Sequence, residues 1–417
     1  MRYLLSFVFA AALAQPASAA DVWPSWRGPA GNGTAPADDY PTSWSTDENV
    51  AWKVDLPGGA GSTPTVWNDL IVLTTPRDGK NYILAYNMSG ELQWATPLGD
   101  ERPGKHRKGS GSNPSPVTDG ERVFVYFKSG DFAALDFEGN VLWHHNLQEK
   151  YGEDTLWWDL GTSPVLTSKH VVVACMQTGP SYLAAFDPAT GDVAWKVDRN
   201  LGAPSEAAQS YSTPVVTQHD GREILVVLGA DHVTAHDAAD GTLLWKISGM
   251  NPEGNEYFRS IASPVVEGDL VIAPYARGNT LTAIRMGGSG DVTKSHTVWA
   301  HDEGELSADV PTPAAKDGRV YVCDDKGTVS CLDVATGKVI AQRQLPKNRN
   351  AYSASPILAG EYLYLIREDG TVYVLKANDE LELVSENELG EFTVATPAFV
   401  DGRILIRSFD RLWCIAK

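Results

Sequence analysis

A stretch of fifteen residues recurs fifty positions further along this chain. The first copy, YLAAFDPATGDVAWK, begins at Tyr182, and the second, HVTAHDAADGTLLWK, begins at His232. The Ala, Asp, Gly, Trp and Lys of the two copies are in register. A period of this length is typical of propellers and solenoids, because one repeat unit cannot bury its own apolar face. The period therefore predicts a fold built from stacked, similar units.

A Ser-Pro or Thr-Pro step marks the same frame along almost the whole chain. After most of these steps come one or two apolar residues, a short polar turn and an apolar strand. Proline at the first position of a strand costs no ladder hydrogen bond, so each step predicts the start of a unit's first strand. The eight steps begin at Thr63, Ser115, Ser163, Thr213, Ser263, Thr312, Ser355 and Thr396.

Each unit contains the pattern of four short strands. Asp-Gly at 119–120, 317–318 and 401–402 is a strong hairpin signal between the first two strands. A third strand ends in Ala-x-Asp or Ala-x-Asn, and a fourth carries a tryptophan. Four strands per repeat predict an all-β, eight-bladed β-propeller. The tryptophans expected to lie between neighbouring blades are Trp52, Trp94, Trp143, Trp195, Trp245 and Trp299.

The last unit lacks its fourth strand, and the N-terminal part of the chain has one strand too many. The unit that begins at Thr396 stops after three strands, whereas Val50–Val54 reads as a single strand with a tryptophan. Pairing these two segments would close the ring and remove an exposed edge. We therefore assign residues 50–417 to the propeller. Residues 20–49 form a lead that Trp23 and Trp26 anchor on the propeller surface.

The first nineteen residues have the pattern of a secretory signal peptide. Arg2 supplies the positive charge, Leu4–Leu13 the short apolar stretch, and Ala17-Ser18-Ala19 the cleavage site. We expect cleavage near Ala19 and export to the periplasm or the extracellular space. No cysteine follows the site to carry a lipid, and no stretch approaches the ~18 apolar residues of a membrane span. The mature protein is expected to be a monomer.

Charge and cysteine usage limit the choice of partners and cross-links. A formal net charge of −19 argues against a nucleic-acid partner, because phosphate binding needs clustered Lys and Arg. Cys323 and Cys331 flank one hairpin turn, so they either form a disulfide across it or remain small buried residues. Catalytic motifs for hydrolases, nucleotide binding and zinc proteases do not occur in the sequence.

The frame with Ala first, Gly seventh and Trp eleventh resembles the tryptophan-docking motif of the pyrroloquinoline-quinone-type propellers. Ala185–Trp195 and Ala235–Trp245 match it fully, while Ala85–Trp94 and Ala134–Trp143 match with one residue deleted. Cys331–Ala341 keeps only the glycine of the motif. The resemblance covers nearly the whole mature chain and implies the same propeller fold.

Two functional branches share that fold, and the resemblance implies a choice between them. One branch consists of dehydrogenases that hold pyrroloquinoline quinone and Ca²⁺ in the central funnel, stacked against a pair of adjacent cysteines. This chain has no Cys-Cys pair. Its best candidate for that branch's catalytic carboxylate is Asp159, with Trp157 and Trp158 as the cofactor-binding residues. In the alternative interpretation the tryptophans cap a blade edge and Asp159 caps a turn.

The other branch is non-catalytic and is similar to the propeller lipoprotein of the outer-membrane β-barrel assembly machine. The lipid-bearing cysteine of that protein is absent here. The lead Trp23–Pro29 also resembles the W-P-x-W-R-G-P opening of a group of exported propeller proteins. On balance the sequence favours a binding or scaffold propeller without a cofactor, and the quinone- and calcium-dependent dehydrogenase is the alternative.

The candidate binding surface consists of the connections from each fourth strand to the next blade. These loops emerge on one face, and loops on a rigid scaffold commonly carry binding residues. We expect this face to bind a protein, a glycan or a small molecule. The candidate partner-binding residues are Lys105, His106, Arg107, Lys108, Trp157, Trp158, Tyr211, Tyr257, Arg259 and Arg349.

Overall fold

The computed structural model describes residues 22–275, 277, 280–302, 304, 306 and 308–417. The predicted signal peptide lies outside the described residues. Two strands come first, β1 (Val22–Trp23) and β2 (Val50–Asp55). Eight sheets follow one another along the chain, and each contains four antiparallel strands of one blade. The predicted eight-bladed propeller is therefore confirmed.

The blades follow in chain order. Blade 1 contains β3 (Thr65–Trp67), β4 (Leu70–Arg77), β5 (Lys80–Asn87) and β6 (Leu92–Asp100). Blade 2 contains β7 (Val117–Thr118), β8 (Val123–Tyr126), β9 (Asp131–Leu135) and β10 (Val141–Asn146), and the helix α1 (Leu147–Tyr151) follows it. Blade 3 contains β11 (Val165–Leu166), β12 (Val171–Cys175), β13 (Tyr182–Phe186) and β14 (Val193–Asp198), and a 3₁₀ turn (Ser205–Ala208) follows it. Blade 4 contains β15 (Val215–His219), β16 (Arg222–Gly229), β17 (His232–Asp237) and β18 (Leu243–Ile247).

The second half has the same order, with one insertion. Blade 5 contains β19 (Val265–Glu267), β20 (Leu270–Tyr275), β21 (Thr280–Arg285) and β23 (Thr297–His301); β22 (Gly290–Asp291) and α2 (Thr293–His296) lie before β23. Blade 6 contains β24 (Ala314–Lys316), β25 (Arg319–Cys323), β26 (Thr328–Asp333) and β27 (Val339–Gln344). Blade 7 contains β28 (Ile357–Ala359), β29 (Tyr362–Ile366), β30 (Thr371–Lys376) and β31 (Leu383–Glu388). Blade 8 contains β32 (Ala398–Val400), β33 (Arg403–Arg407) and β34 (Arg411–Ile415). In the part of the chain described, no helix has the length and apolar character needed to cross a membrane.

Strand β2 closes the ring. It pairs antiparallel with β34 as the fourth strand of blade 8, with Trp52 opposite Cys414 and Val54 opposite Leu412. The indole of Trp52 then donates a hydrogen bond to the carbonyl of Met88 in blade 1, at 2.9 Å. The first and the last strand of the propeller, β2 and β34, are thus held in one sheet, as the sequence predicts.

The repeated tryptophans join each blade to the next. Trp195 lies directly opposite the small side chain of Ala185 in its own blade, and its ring covers Gly241 in blade 4. Gly241 has a φ of +75°, and a Cβ placed there would approach the Trp195 ring to 2.6 Å. Glycine is therefore required both by the backbone conformation and by the close approach of the indole. The same contact joins Trp52 to Gly90, Trp94 to Gly139, Trp143 to Gly191 and Trp299 to Gly337.

Trp245 is the exception among these tryptophans. The turn that it would cover in blade 5 is replaced by the insertion that carries β22 and α2. Strand β22 pairs parallel to β18, with Gly290 beside Trp245. Trp245 is consequently the most deeply buried of the six.

The Ser/Thr-Pro steps form a girdle of hydrogen bonds around the central channel. In the first seven steps, the backbone N–H of the Ser or Thr donates to the hydroxyl of the equivalent residue in the next blade. Thr63 donates to Ser115, Ser115 to Ser163, Ser163 to Thr213, Thr213 to Ser263, Ser263 to Thr312, Thr312 to Ser355 and Ser355 to Thr396, at 2.8–3.1 Å. The hydroxyl of Thr63 completes the circle by donating to the carbonyl of Thr396, at 2.9 Å. The step therefore does more than start a strand, because it also links neighbouring blades.

We expect Ser163→Ala to destabilise the protein by about 1–3 kcal/mol, because it leaves the buried N–H of Ser115 without an acceptor. Ser163→Thr retains the hydroxyl and should restore most of the lost stability. Denaturant unfolding would measure both variants. Ser168→Ala is the matched control, since its hydroxyl bonds to Glu223 on the exposed surface. Equal losses for Ser163→Ala and Ser168→Ala would contradict a structural role for the girdle.

The two hairpin cysteines are free thiols, and so are Cys175 and Cys414. Cys323 pairs with Val329 and Cys331 pairs with Tyr321, so the two sulfur-bearing residues are diagonal rather than opposite in the β25–β26 ladder. The possible disulfide is therefore not formed, and the alternative of small buried side chains describes both residues.

Candidate functional site

A funnel-shaped cavity of about 430 Å³ opens where the inter-blade loops meet. Its walls include His106 and Lys108 from the first of these loops, Trp158 from the next, and Arg259 from the loop before blade 5. We call this cavity the funnel. Four members of the Ser/Thr girdle and the side of Trp26 also contribute to its lining, so it lies over the central channel.

The lead closes the channel beneath the funnel. Trp26 lines the funnel and also a second cavity of about 320 Å³. Lead residues 24–31 form part of the lining of this second cavity. The indole of Trp26 donates to the hydroxyl of Thr396 at 3.3 Å. The adjacent Arg27 is buried and donates to the carbonyls of Pro356 and Pro313, at 3.1 and 2.8 Å. The lead thus packs more deeply than the surface contact expected from its sequence, and it gives the funnel a floor.

Asp159 lies at the side of the funnel and is fully engaged by protein donors. Its carboxylate accepts the backbone N–H groups of Lys105 (2.7 Å) and His106 (3.1 Å) and forms an ion pair with Lys128 at 2.5 Å. The side chains of Lys128 and Asp159 are 1% and 4% exposed. Gly109 packs so closely that a Cβ there would lie 2.2 Å from Asp159 Oδ2. Asp159 therefore anchors the Lys105–Lys108 segment.

The tryptophan pair is held by a polar network that joins two loops, the connection between blades 2 and 3 and the connection between blades 3 and 4. The Trp157 N–H donates to Gln209 Oε1 at 2.9 Å, and the Trp158 N–H donates to the Tyr211 hydroxyl at 3.2 Å. The Trp158 indole donates to Glu206 Oε1 at 2.8 Å. These bonds fix the orientation of the Trp158 ring, which is partly exposed at the funnel wall.

Arg259 extends this network to the segment before blade 6. Its guanidinium lies 3.4 Å from Glu206 and 3.6 Å from Asp309. Two of its nitrogens, Nε and Nη1, are buried without a hydrogen-bond partner among the described residues. The guanidinium is thus held by the negative charges of Glu206 and Asp309 rather than by a complete set of hydrogen bonds.

Lys108 joins the loop between blades 1 and 2 to blade 7, with blades 1 and 8 between them in the ring. Its ammonium group forms an ion pair with Glu368 in blade 7, whose side chain is 2% exposed, whereas that of Lys108 is 31% exposed. The hydroxyl of Ser353 also donates to Glu368, at 2.6 Å. The loop between blades 1 and 2 is therefore fixed at one end by Asp159 and at the other by Glu368.

Several side chains that hold the funnel loops occupy the same position in their repeats. The sequence analysis did not identify this position. Lys128 and Glu368 both lie two residues after the end of their blade's second strand. Gln177, at the same position in blade 3, holds the backbone of Glu153 and Thr155. Aligning the repeats at the second strand and looking for polar residues just beyond it would have found this set. The residues at this position in blades 2 to 7 are Lys128, Gln177, Asp231, Arg277, Asp325 and Glu368.

Asp325 has an unusual environment for a residue that the sequence places in a turn. Its neighbour Asp324 caps the turn by accepting the N–H groups of Lys326 and Thr328. Asp325 Oδ1 is buried without a hydrogen-bond partner among the described residues. Burial, reinforced by the negative charge of Asp309, raises the pKa of Asp325 to about 6.

This raised pKa predicts a pH dependence of stability. The folded-state pKa lies above the unfolded value of about 3.9, so Asp325 contributes stability that is present below about pH 4 and lost as the pH rises through about 6. Asp325→Asn should therefore raise the Tm at pH 7.5 and leave it nearly unchanged at pH 4. Thermal unfolding across this range would test it, with the exposed Asp317→Asn as the control. A parallel shift at both pH values would contradict the prediction.

The structure brings together half of the predicted partner-binding residues. His106, Lys108, Trp158, Tyr211 and Arg259 line the funnel. Lys105 lies beside it and donates to the carbonyl of Leu156. The remaining candidates, Arg107, Trp157, Tyr257 and Arg349, are exposed residues that do not line it.

The residues at Asp159 do not fit a calcium ion. Both carboxylate oxygens already accept hydrogen bonds, and the nearest charged group is the ammonium of Lys128 rather than a second carboxylate. Within the described ranges, no group of three or more His, Cys, Asp or Glu side chains is arranged to hold a metal. Trp157 does not line the funnel, so its ring is not placed to stack against a cofactor bound there.

The sequence profile of the family described as outer membrane protein assembly factor BamB matches residues 42–179 and 155–386. The chain belongs to this family. The match covers most of the propeller, including the blades that supply the funnel loops. No functionally curated protein matches the chain in sequence.

Solved structures of both functional branches share the fold. BamB from Moraxella catarrhalis is 16% identical with a TM-score of 0.64, and the match covers 88% of this chain and 97% of that chain. Quinohemoprotein alcohol dehydrogenase from Comamonas testosteroni is 12% identical with a TM-score of 0.71, covering 95% and 80%. A europium-containing methanol dehydrogenase is 10% identical with a TM-score of 0.68, covering 93% and 89%. At these identities the structures show the fold alone.

Proposed function

We propose that this BamB-family chain is an exported, non-catalytic binding propeller that uses the loop face and the funnel. The observation that carries the proposal is the state of Asp159, the best candidate for a catalytic carboxylate. Three protein donors already engage both of its oxygens, and the ammonium group of Lys128 pairs with its charge. A general base must lie within hydrogen-bond reach of the proton that it removes.

The geometry of the loops supports a binding role for this face. Loops from different blades are tied to each other by Asp159, Glu206 and Glu368, so the face is a rigid surface rather than a set of independent loops. Preorganised side chains of this kind reduce the entropy lost on binding. Partly exposed tryptophans beside the funnel offer large contact areas.

The alternative is a quinone- and calcium-dependent dehydrogenase, and one experiment separates the two functions. The purified protein is titrated with pyrroloquinoline quinone in the presence of Ca²⁺ or EDTA, and dye-linked alcohol oxidation is measured in parallel. We expect no calcium-dependent oxidation. Calcium-dependent turnover that Asp159→Asn abolishes, in a variant that remains folded, would establish the dehydrogenase instead.

A second experiment tests the face itself. A photo-cross-linking amino acid is placed at Tyr257 on the loop face or at Lys338, which is exposed in the turn between β26 and β27 on the opposite face. A binding face predicts cross-links in cells from position 257 and few from position 338. Equal cross-linking from the two positions would contradict the use of the loop face.

A further inference from the structure

We propose that an extended, apolar peptide segment of a partner protein binds in the second cavity, the one of about 320 Å³ that Trp26 separates from the funnel. We call it the lower cavity. The segment pairs with the channel-facing edges of the first strands of blades 3, 4 and 5. This site goes beyond the proposed binding face, because the two cavities share Trp26 but none of the loop residues that line the funnel.

The chain's own lead shows how these edges are covered elsewhere in the ring. One position of the repeat is involved, the second residue after the proline of each Ser/Thr-Pro step. In blades 2, 6 and 7 the N–H of this residue donates to a carbonyl of the lead: Thr118 to Pro24 at 3.0 Å, Ala315 to Asn32 at 3.2 Å and Leu358 to Gly33 at 2.8 Å. The lead therefore binds these blades through backbone hydrogen bonds.

The other two covered blades meet β1 and the lead residues near it. In blade 1, Val66 pairs with Trp23 of β1. In blade 8, the ring of Phe399 lies 6.1 Å from the ring of Trp23 and 5.1 Å from that of Tyr40. The residue at the shared position is buried in all five covered blades.

The same position is uncovered in blades 3, 4 and 5, where it is occupied by Leu166, Val216 and Val266. All three residues are partly exposed. They have the register of Leu358 in their blades, and alternate residues of an antiparallel ladder direct their N–H and C=O groups away from the neighbouring strand. Among the described residues, these N–H groups have no acceptor and these carbonyls have no donor. Such unpaired strand edges are templates for an added strand.

The lower cavity lies beside these free edges. The lead bonds to blade 2 at Pro24 and to blades 6 and 7 at Asn32 and Gly33, so it crosses the channel and leaves blades 3 to 5 on one side. Residues 24–31 line one wall of the lower cavity, and the first strands of blades 2 to 4 with Pro264 of blade 5 line the other. The free edges thus face a space that the lead does not fill.

The lining of the lower cavity indicates the chemistry of the segment. The wall formed by the blades consists of Val, Leu and Pro side chains with a few hydroxyls. Of the described residues that line the cavity, only Arg27 is charged, and its guanidinium already donates to two carbonyls. A charged side chain placed there would lose its hydration without gaining a partner, so the segment that fits is neutral and apolar.

A short segment is long enough to pair with all three strands. Asn32 and Gly33 are consecutive in the lead, yet they bond to blades 6 and 7. About one or two extended residues per blade therefore suffice, and a segment of about six residues reaches blades 3 to 5. In this mode of recognition the backbone hydrogen bonds supply affinity, and the side-chain pockets supply specificity.

The test is a fluorescence anisotropy titration of the protein cleaved near Ala19, with a labelled hexapeptide of alternating valine and threonine. One control peptide has the same sequence with N-methylated peptide groups, which cannot donate to the strand-edge carbonyls. In the other, aspartate replaces valine. We expect saturable binding of the valine–threonine peptide, and binding of each control peptide that is weaker by about tenfold or more.

Variants show whether the peptide binds in the lower cavity. Leu166→Asp and Val216→Asp each place a carboxylate in its wall and should weaken peptide binding by about tenfold or more. Gln218→Asp is the matched control, since Gln218 is exposed in the same strand as Val216 and does not line the cavity; its variant should bind normally.

Val216→Pro tests the backbone pairing without adding a charge. It removes an N–H that has no acceptor in the folded protein, and proline is tolerated at such an edge. It should weaken peptide binding while thermal unfolding stays cooperative, so the proposal remains testable if the aspartate variants fold poorly. Cross-linking from position 257 should be unchanged in Val216→Pro, because Trp26 separates the lower cavity from the loop face.

Four results would overturn the proposal. The first is no saturable binding of the valine–threonine peptide, and the second is equal binding of the N-methylated or the aspartate peptide. The third is normal binding by Leu166→Asp, Val216→Asp and Val216→Pro. The fourth is another occupant: a dimer in size-exclusion chromatography that Val216→Asp dissociates would assign the surface to a second copy, and peptide binding that only cleavage near Ala19 permits would assign it to the chain's own N-terminal segment.

Discussion

Removal of Val50–Val54 is expected to cause the protein to aggregate. This segment is the fourth strand of blade 8, paired with β34, and its Trp52 bonds to the backbone of blade 1. Without it, β34 becomes an exposed edge strand that carries the large apolar side chains of Leu412 and Trp413, and blade 8 keeps only part of its contact with blade 1. Unpaired edges of this kind pair with other chains.

Size-exclusion chromatography and thermal unfolding would measure the effect. The matched control is the double variant Ala51→Ser and Lys53→Ser, which changes only exposed side chains of the same strand. We expect the control to remain monomeric with a cooperative transition. A deletion variant that is equally monomeric and cooperative would show that the ring does not need this strand.

Trp195→Ala should destabilise the protein by about 3–5 kcal/mol, the cost of deleting a large buried aromatic side chain. Trp195 is 9% exposed, packs over Gly241 of the next blade and donates to the carbonyl of Ala238 at 3.3 Å. Trp157→Ala is the control, since Trp157 is 49% exposed. Its loss should change the free energy of unfolding by much less.

Denaturant unfolding of the two variants would compare them directly. The difference between their free energies of unfolding measures the contact between blades 3 and 4. Both variants lose an indole, but only Trp195→Ala leaves a cavity. Equal shifts in the unfolding midpoint would show that the repeated tryptophan is not what holds neighbouring blades together.

The site was predictable in part. The loops that form the funnel were found because they are the longest and most varied connections between otherwise similar units. The sequence also pointed to Asp159 and its tryptophans, but it could not show that Lys128 neutralises this carboxylate. Lys128 lies in another blade, 31 positions earlier, at the end of a strand whose pattern is unremarkable in sequence.

The role of the lead was also beyond the sequence. Trp23 and Trp26 were expected to anchor it on the surface, yet Trp26 closes the central channel and Arg27 bonds to two blades more than 280 positions away. Nothing local in a Pro- and Gly-rich segment specifies which distant carbonyls it meets. The girdle is a similar case, because its hydrogen bonds join residues one full repeat apart.

The sequence by itself determined the eight blades, their four strands and the strand that closes the ring. These features depend on local strand patterns and on contacts between neighbouring repeats, which periodicity records directly. Only the tertiary structure decided which loop side chains meet in the funnel and which are already paired. Lys108 and Glu368 are 260 positions apart and meet only because the ring closes. Such contacts leave no periodic signal, since each involves residues that occur once in the chain.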